Sequence, residues 1–367
     1  MIQKSQIMKN FKSNKITFFY NNKHEKYIFD PISEIFRQKK INFTFSKNHY
    51  LKSDIGFYCR KPKDINSKTS VIFLGGIDQG RVMWPNIWRE QPWNEFDIGF
   101  LPGDNWANRW KQSSYDYRSQ TKFGVFNVGW PKADFLFNLK ENKNKIKRFK
   151  KRYKINENKI NILYAPSFEC FDRQIEVAEV VKKLGFNLIV KHWLEKREKK
   201  FKDLWDNIER SNKKTLEIYK KKTTIIQPGE NFLTLLNFVN LIVTDESSVA
   251  YEALLKNIPT ISVKDWLIQR HKKAISRYVK PADITIKTKK KILGRAILKN
   301  IKIKKDFKLK KKEFSNLGKS SKIVVEILLN FLKDRKSVKK TKYYLKPKTK
   351  PNFFKKIKKL LKLSLKL

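Results

Sequence analysis

Cysteine is nearly absent: Cys59 and Cys170 are the two in 367 residues. Two cysteines build no disulfide framework, and their scarcity points to a reducing compartment. Cys/His spacing of the zinc type is missing as well. So is an Asp-x-Asp pair in a suitable loop, and no bound metal is expected. No apolar run approaches the roughly 20 residues that a spanning helix needs, and the start shows no apolar core of signal-peptide type. Acidic residues are few, 34 against 84 Lys and Arg, for a net charge of +50.

That charge is the extreme feature, yet most of it is lysine, with Asn and Ile also frequent. A compositional bias of an AT-rich genome accounts for part of it and blunts the usual inference to nucleic acid. The aromatics fall in apolar strands rather than in a basic ladder, so nucleic acid is not the expected partner. It is kept as an alternative reading that predicts salt-sensitive binding. With 40% hydrophobic and 13% aromatic residues the chain is too apolar to be disordered, and its length suits two domains.

Apolar runs and amphipathic stretches alternate throughout. "KITFFY" (15–20), "INFTFS" (41–46), "DIGFYCR" (54–60) and "SVIFLGG" (70–76) read as strands, with a helix over 27–40. Residues 96–110 add a strand, a turn and a helix; 123–137 add a strand and a turn. After the Lys/Asn-rich stretch 139–160, "KINILYAP" (159–166), "FNLIVKH" (186–192) and "TTIIQP" (223–228) are strands. Helices are expected over 173–185, 232–240 and 320–334. Such alternation argues for α/β domains with parallel, doubly wound sheets facing across a cleft. The expected division is 1–140, a basic connection at 141–158, a second domain at 159–335, and a basic tail at 336–367.

The stretch "VTDESSVAYEALLKNIPTISV" (243–263) is the most informative. A strand ends in Asp245 and the Ser247-Ser248 pair, and a short helix begins. Ligands of open α/β sheets bind beyond strand carboxyl ends, and a helix N-terminus favours a phosphate by about 0.3–2 kcal/mol. Ser248 and Glu252, four apart, share a helix face. Two readings are open: Asp245 and Ser247 merely cap the helix, or the turn holds a charged ligand with Glu252 on ribose hydroxyls.

"VFNVGWPKAD", "NILYAPSFE", "LIVKHW" and "GENFLTLLNFVNLIVTDESSVAYEALLKNIPTISV" occur in an order that resembles the CDP-glycerol glycerophosphotransferase-like family. The resemblance spans roughly 70–335 and implies the GT-B architecture of two Rossmann-like domains. It implies transfer of a sugar or polyol phosphate from a nucleotide-activated donor to a lipid-linked or polymeric surface acceptor such as a teichoic acid. It assigns donor contacts to Lys191, Asp245, Ser247, Ser248 and Glu252, and a structural or hinge role to the Gly129, Pro131, Asp134 turn. No cofactor beyond the donor is implied.

Two departures stand out. Gly75 occupies the position of the family's early histidine, and Lys191-His192-Trp193 shortens its Lys-x-His-Pro. Asp78 and His192 are therefore the expected catalytic groups, with Arg81 assisting at the donor phosphate; Asp78 is also readable as an ordinary turn residue, the commoner part for a Gly-Asp turn. A non-catalytic relative that binds nucleotide or glycan is the alternative that Gly75 motivates.

In the tail, Phe353, Phe354, Ile357, Leu360 and Leu361 fall at helical spacing, with Lys355, Lys358 and Lys359 among the residues between them. That pattern suits a helix lying in an anionic membrane surface, at about 1 kcal/mol per lysine. The expected location is the inner face of the cell membrane.

Overall fold

The computed structural model describes residues 11–77, 87–167, 172–193, 201–245, 247–266, 284–302 and 308–348. Asp78, Arg81 and the tail residues Phe353, Phe354, Lys355, Ile357, Lys358, Lys359, Leu360 and Leu361 lie outside them.

Twelve strands among the described residues form two six-stranded sheets in which every recorded pairing is parallel. The first contains β1 (Ile16–Phe19), β2 (Phe43–Ser46), β3 (Ser53–Tyr58), β4 (Ser67–Phe73), β5 (Ile98–Leu101) and β6 (Gly124–Asn127). Its order is β2-β1-β3-β4-β5-β6. The second contains β7 (Asn161–Tyr164), β8 (Asn187–Lys191), β9 (Thr223–Ile226), β10 (Leu241–Thr244), β11 (Thr260–Val263) and β12 (Ile286–Thr288), ordered β12-β11-β10-β7-β8-β9. Buried on both faces, such strands are unbroken apolar runs; all four residues of β7, of β10 and of β11 are buried. This is the doubly wound, two-sheet α/β architecture expected.

Helices cover both faces. Helix α1 (Lys23–Gln38) starts four residues before the expected 27, because Asn22 caps it: the Asn22 side chain accepts the Glu25 N–H at 3.0 Å. The Glu25 carboxylate in turn accepts the Asn21 N–H at 2.7 Å, so donors left open by the first turn are satisfied. The polar sequence Lys23-His24-Glu25-Lys26 carries no apolar period, which hides the start. On the other face of this sheet, Trp88, Trp93, Trp106 and Trp110 pack with Tyr58 and Phe96.

The Lys/Asn-rich connection carries a helix, α2 (Leu139–Tyr153). Phe149 anchors it in the core of the second sheet, with Leu233 and Phe238. The lysine-dense stretch 287–313 contributes edge strand β12 and helix α3 (Leu293–Asn300), whose Leu293 and Ile297 are buried against the second sheet.

Chain order misplaces the last helix. Residues 320–334 follow the second half in the sequence, but α4 (Ser320–Lys333) buries Val324, Ile327, Leu328 and Phe331 with Phe18, Phe29 and Phe57 of the first sheet. Each such side chain contributes roughly 1.5–3 kcal/mol. The 129–134 turn receives this return. Gly129 has φ +92, and a Cβ there would lie 2.1 Å from the Ser315 carbonyl. The Asp134 carboxylate accepts the N–H groups of Ser320 and Ser321 at 3.3 and 2.7 Å, holding the first turn of α4. Residues after 336 are not all free tail: Leu345 donates its N–H to Val125 at 2.9 Å, and Tyr344 bridges antiparallel to Phe126. Among the described residues no helix is long and apolar enough to cross a membrane.

Candidate active site

In a doubly wound sheet the crossovers diverge at one point, and the loops beyond the strand carboxyl ends part there to leave a crevice. In the second sheet that point lies between β7 and β10. The loops after them carry Ala165 and Pro166 on one side and Ser247 and Ser248 on the other. Together with groups from the first sheet they line a cleft of about 310 Å³.

The Ser247-Ser248 turn lies in this cleft, as expected. Helix α5 (Val249–Leu254), which follows, has only six residues, so its dipole is small and cannot be the main anchor for an anion. Ser248 occupies the N-cap position but its side chain makes no capping bond. Ser247 Oγ accepts the Val249 N–H at a long 3.4 Å.

Among the described residues Asp245 makes neither the helix cap nor the cleft contact expected for it. It is fully buried, does not line the cleft, and its carboxylate accepts the Ser167 N–H at 2.8 Å and the Ser167 hydroxyl at 2.7 Å. It ties the end of β10 to the loop after β7 and shapes the site from behind.

Glu252 does line the cleft, but both its oxygens face the Lys132 ammonium, at 3.1 and 3.0 Å. The pair is buried, at 4% and 10% side-chain exposure. Any ribose contact by Glu252 is therefore shared with Lys132. Lys132 follows β6 and also sits 5.0 Å from the Trp130 ring centroid.

Lys191 ends β8, is buried, and donates to the Pro228 carbonyl, which fixes its charge in the cleft wall. His192 is 3% exposed, and a relay sets its tautomer. Thr215 Oγ1 donates to the Ser211 carbonyl at 2.7 Å, so it accepts from the Gln174 amide at 2.9 Å. The same amide nitrogen donates to Asn212 at 2.9 Å. Gln174 thus presents its oxygen to His192 Nε2, 2.7 Å away, and Nε2 carries the proton. Nδ1 is left as a buried acceptor with no hydrogen-bond partner among the described residues. Burial and the Lys191 charge lower the ring's pKa to about 4, so it is neutral at neutral pH.

A second imidazole escaped the sequence reading. His24, in the first turn of α1, lines the same cleft beside Gly75 and Gly76. Burial, then Lys132 and Lys191, lower its pKa to about 3, while a hydrogen bond with the Trp193 main chain acts in the opposite direction. Arg60 was missed too; its Nε meets the buried Glu25 carboxylate at 2.7 Å. Asn22 followed three residues later by Glu25 is a capping signature, and could have exposed the start of α1 and with it His24.

The cleft thus gathers Lys132, Lys191 and Arg60, two serine hydroxyls and two neutral imidazoles. Cations and hydroxyls are suited to a diphosphate, and a neutral imidazole to a proton in flight. Among the described residues no group of His, Cys, Asp or Glu could hold a metal ion.

Residues 107–276, a little under half of the chain, match the sequence model of the family described as CDP-Glycerol:Poly(glycerophosphate) glycerophosphotransferase. No curated protein matches the chain by sequence. Among solved structures, a variant of the wall teichoic acid polymerase TagF is similar over 89% of this chain and 91% of that chain, at 16% identity and a TM-score of 0.64. The UDP-GlcNAc 2-epimerase of Methanocaldococcus jannaschii, in complex with UDP-GlcNAc and UDP, is similar over 86% and 99%, at 16% identity and a TM-score of 0.52. The corresponding epimerase of Neisseria meningitidis, bound to UDP-GlcNAc, aligns over 86% and 100% at 14% identity and 0.51. At these identities the likeness is one of fold, the GT-B arrangement of two parallel-sheet domains. The matched segment spans the cleft turn and the return of the second sheet, and over it the chain is similar to the CDP-glycerol glycerophosphotransferase family.

Proposed function

We propose that the protein is a transferase that moves a polyol phosphate, or a sugar, from a nucleotide-activated donor to a surface-polymer acceptor. One observation carries this reading: Lys132, Lys191, Ser247 and Ser248 converge at the switch point of the second sheet, where a donor diphosphate would sit. The match to a family whose donor is CDP-glycerol supports the polyol-phosphate form. The tail sequence around Phe353 to Leu361 suits an acceptor presented at an anionic membrane surface.

The acceptor hydroxyl oxygen bonds to the donor's electrophilic phosphorus, or to the anomeric carbon of a sugar. The bond from that atom to the nucleotide's oxygen breaks, and the nucleotide leaves with the electron pair. Lys132 and Lys191 offset the charge that develops on it. The hydroxyl proton passes to His24, on the first-sheet side of the cleft, and then to water. His192 Nδ1 accepts a hydrogen bond from a donor hydroxyl. Asp78 is the competing proton acceptor, from the sequence pattern alone.

Thermal stabilisation by CDP-glycerol, UDP-sugars and CMP-sugars tests the donor site. One donor at 100 times its Kd should stabilise the protein by about 2.7 kcal/mol. Ser248→Ala and Glu252→Ala should lose most of that shift; a donor that stabilises both variants as well as the parent removes the site. Donor binding without turnover or donor hydrolysis favours the non-catalytic reading that Gly75 motivates.

A further inference from the structure

Three fully buried tryptophans of the first half each find an acceptor for the indole N–H. Trp88 donates to Ser113 Oγ at 2.6 Å, Trp106 to the Ile77 carbonyl at 3.1 Å, and Trp110 to the Ser119 carbonyl at 2.7 Å. Trp130 differs. It is 5% exposed and lines the donor cleft, yet its Nε1 has no hydrogen-bond partner among the described residues. A buried N–H without an acceptor loses its hydration for nothing in return, and most such groups are paired. In the wall of a ligand cleft, the exception points to an acceptor on the ligand.

The indole is held in place. Phe314 stacks on it, with ring centroids 5.7 Å apart and planes at 27°, and the Lys132 ammonium sits 5.0 Å from its centroid. Trp130 belongs to the passage that leaves β6, and Phe314 to the one that returns to α4, so both crossings grip the same ring.

The cleft also holds a complementary group. His192 Nδ1 is a buried acceptor with no partner among the described residues, because Nε2 carries the proton toward Gln174. Trp130 can only donate, and His192 Nδ1 can only accept. A diphosphate esterified at both ends accepts but has no proton to give, so it serves the first group and not the second. Hydroxyls serve both.

We propose that Trp130 is a specificity residue whose indole N–H donates to a hydroxyl oxygen of the group being transferred. This rests on the transferase reading above and names the side chain that tells a polyol or sugar from the nucleotide carrying it. A donor bearing hydroxyls satisfies Trp130 and His192 together, whereas its bare nucleotide leaves Trp130 without an acceptor.

The test uses the full chain with Trp130 replaced by 3-benzothienylalanine, which keeps a bicyclic ring and has no N–H. Calorimetry compares CDP-glycerol with CDP, and UDP-GlcNAc with UDP. Whichever donor the parent binds should bind the replaced protein about five- to tenfold more weakly, while the matching nucleotide changes by less than about twofold. Trp130→Phe should repeat that donor-specific loss; a cleft merely loosened by a smaller ring would weaken donor and nucleotide alike. Without ligand, the benzothienyl replacement should not lower the melting temperature at Trp130, but should lower it at Trp88, whose N–H is bonded to Ser113. Unchanged donor binding, equal losses for donor and nucleotide, or a lowered melting temperature at Trp130 each overturns the proposal and leaves the transferase reading standing. If the parent binds neither donor, the transferase reading fails and the proposal with it.

Discussion

At the crevice between β7 and β10 the charges are buried and already partnered. Lys132 and Glu252 face each other, Lys191 is bonded to a main-chain carbonyl, and His192 is fixed through Gln174. At the crevice between β1 and β3, lined by Lys47, Arg60, Lys61 and Lys63, the space is larger, about 490 against 310 Å³, and Arg60 and Lys61 are held by the carboxylates of Glu25 and Glu95. Both arise from the same parallel topology. The first kind of site is preorganised for one small, defined ligand, whose binding should be rather insensitive to salt. The second, where the Arg60 side chain is about half exposed, should hold any anion by weaker, screened attractions.

The sharpest way to break this contrast is Lys132→Ala. It strands Glu252 in a buried setting and should cost about 3–5 kcal/mol in urea unfolding. The double change Lys132→Met with Glu252→Gln should recover most of that loss. A cost under about 1 kcal/mol would mean that the donor side is as solvated as the other.

Acid provides the next test. His192 has a native pKa of about 4, below its ordinary 6.5. As pH falls below 6.5 the unfolded chain binds a proton that the native ring refuses, so stability declines with acid down to about pH 4. Relative to pH 8, the loss at pH 5 from this residue should be about 2 kcal/mol. His24, lowered to about 3, adds a decline of the same sign. His192→Asn should remove about 2 kcal/mol of the decline between pH 8 and 5 and leave the share of His24; an unchanged slope would dismiss the buried relay as a cause.

The smallest expected effect separates binding from folding. Ser248 makes no capping bond, so Ser248→Ala should change stability by less than about 0.5 kcal/mol while nucleotide stabilisation is lost. A large loss of stability would return Ser248 to a purely structural role.

These contrasts also mark what the sequence reveals. Strands were legible because a sheet covered on both faces needs unbroken apolar runs, as at Leu241-Ile242-Val243. The Ser247-Ser248 turn was legible because a strand, a polar pair and a helix are contiguous. Lys132 with Glu252 was not: the partners are 120 residues apart, and nothing local in either announces the other. Asp245 looked like a ligand contact because its partner, Ser167, lies in a different loop. His24 stayed hidden inside a polar first turn. The last helix was misplaced because an amphipathic stretch records that it covers something, not which sheet it covers.

That last helix changes what kind of molecule this is. With α4 and residues 343–345 bound to the first sheet, the described chain opens and closes on one body, and the second sheet is a guest inserted in its middle. The two passages between host and guest run side by side: Gly129 lies against Ser315, and Asn316 donates to the Asn127 carbonyl at 3.3 Å. Two coincident crossings make a pivot rather than a frame, so the halves of the cleft can turn about one point without stretching either passage.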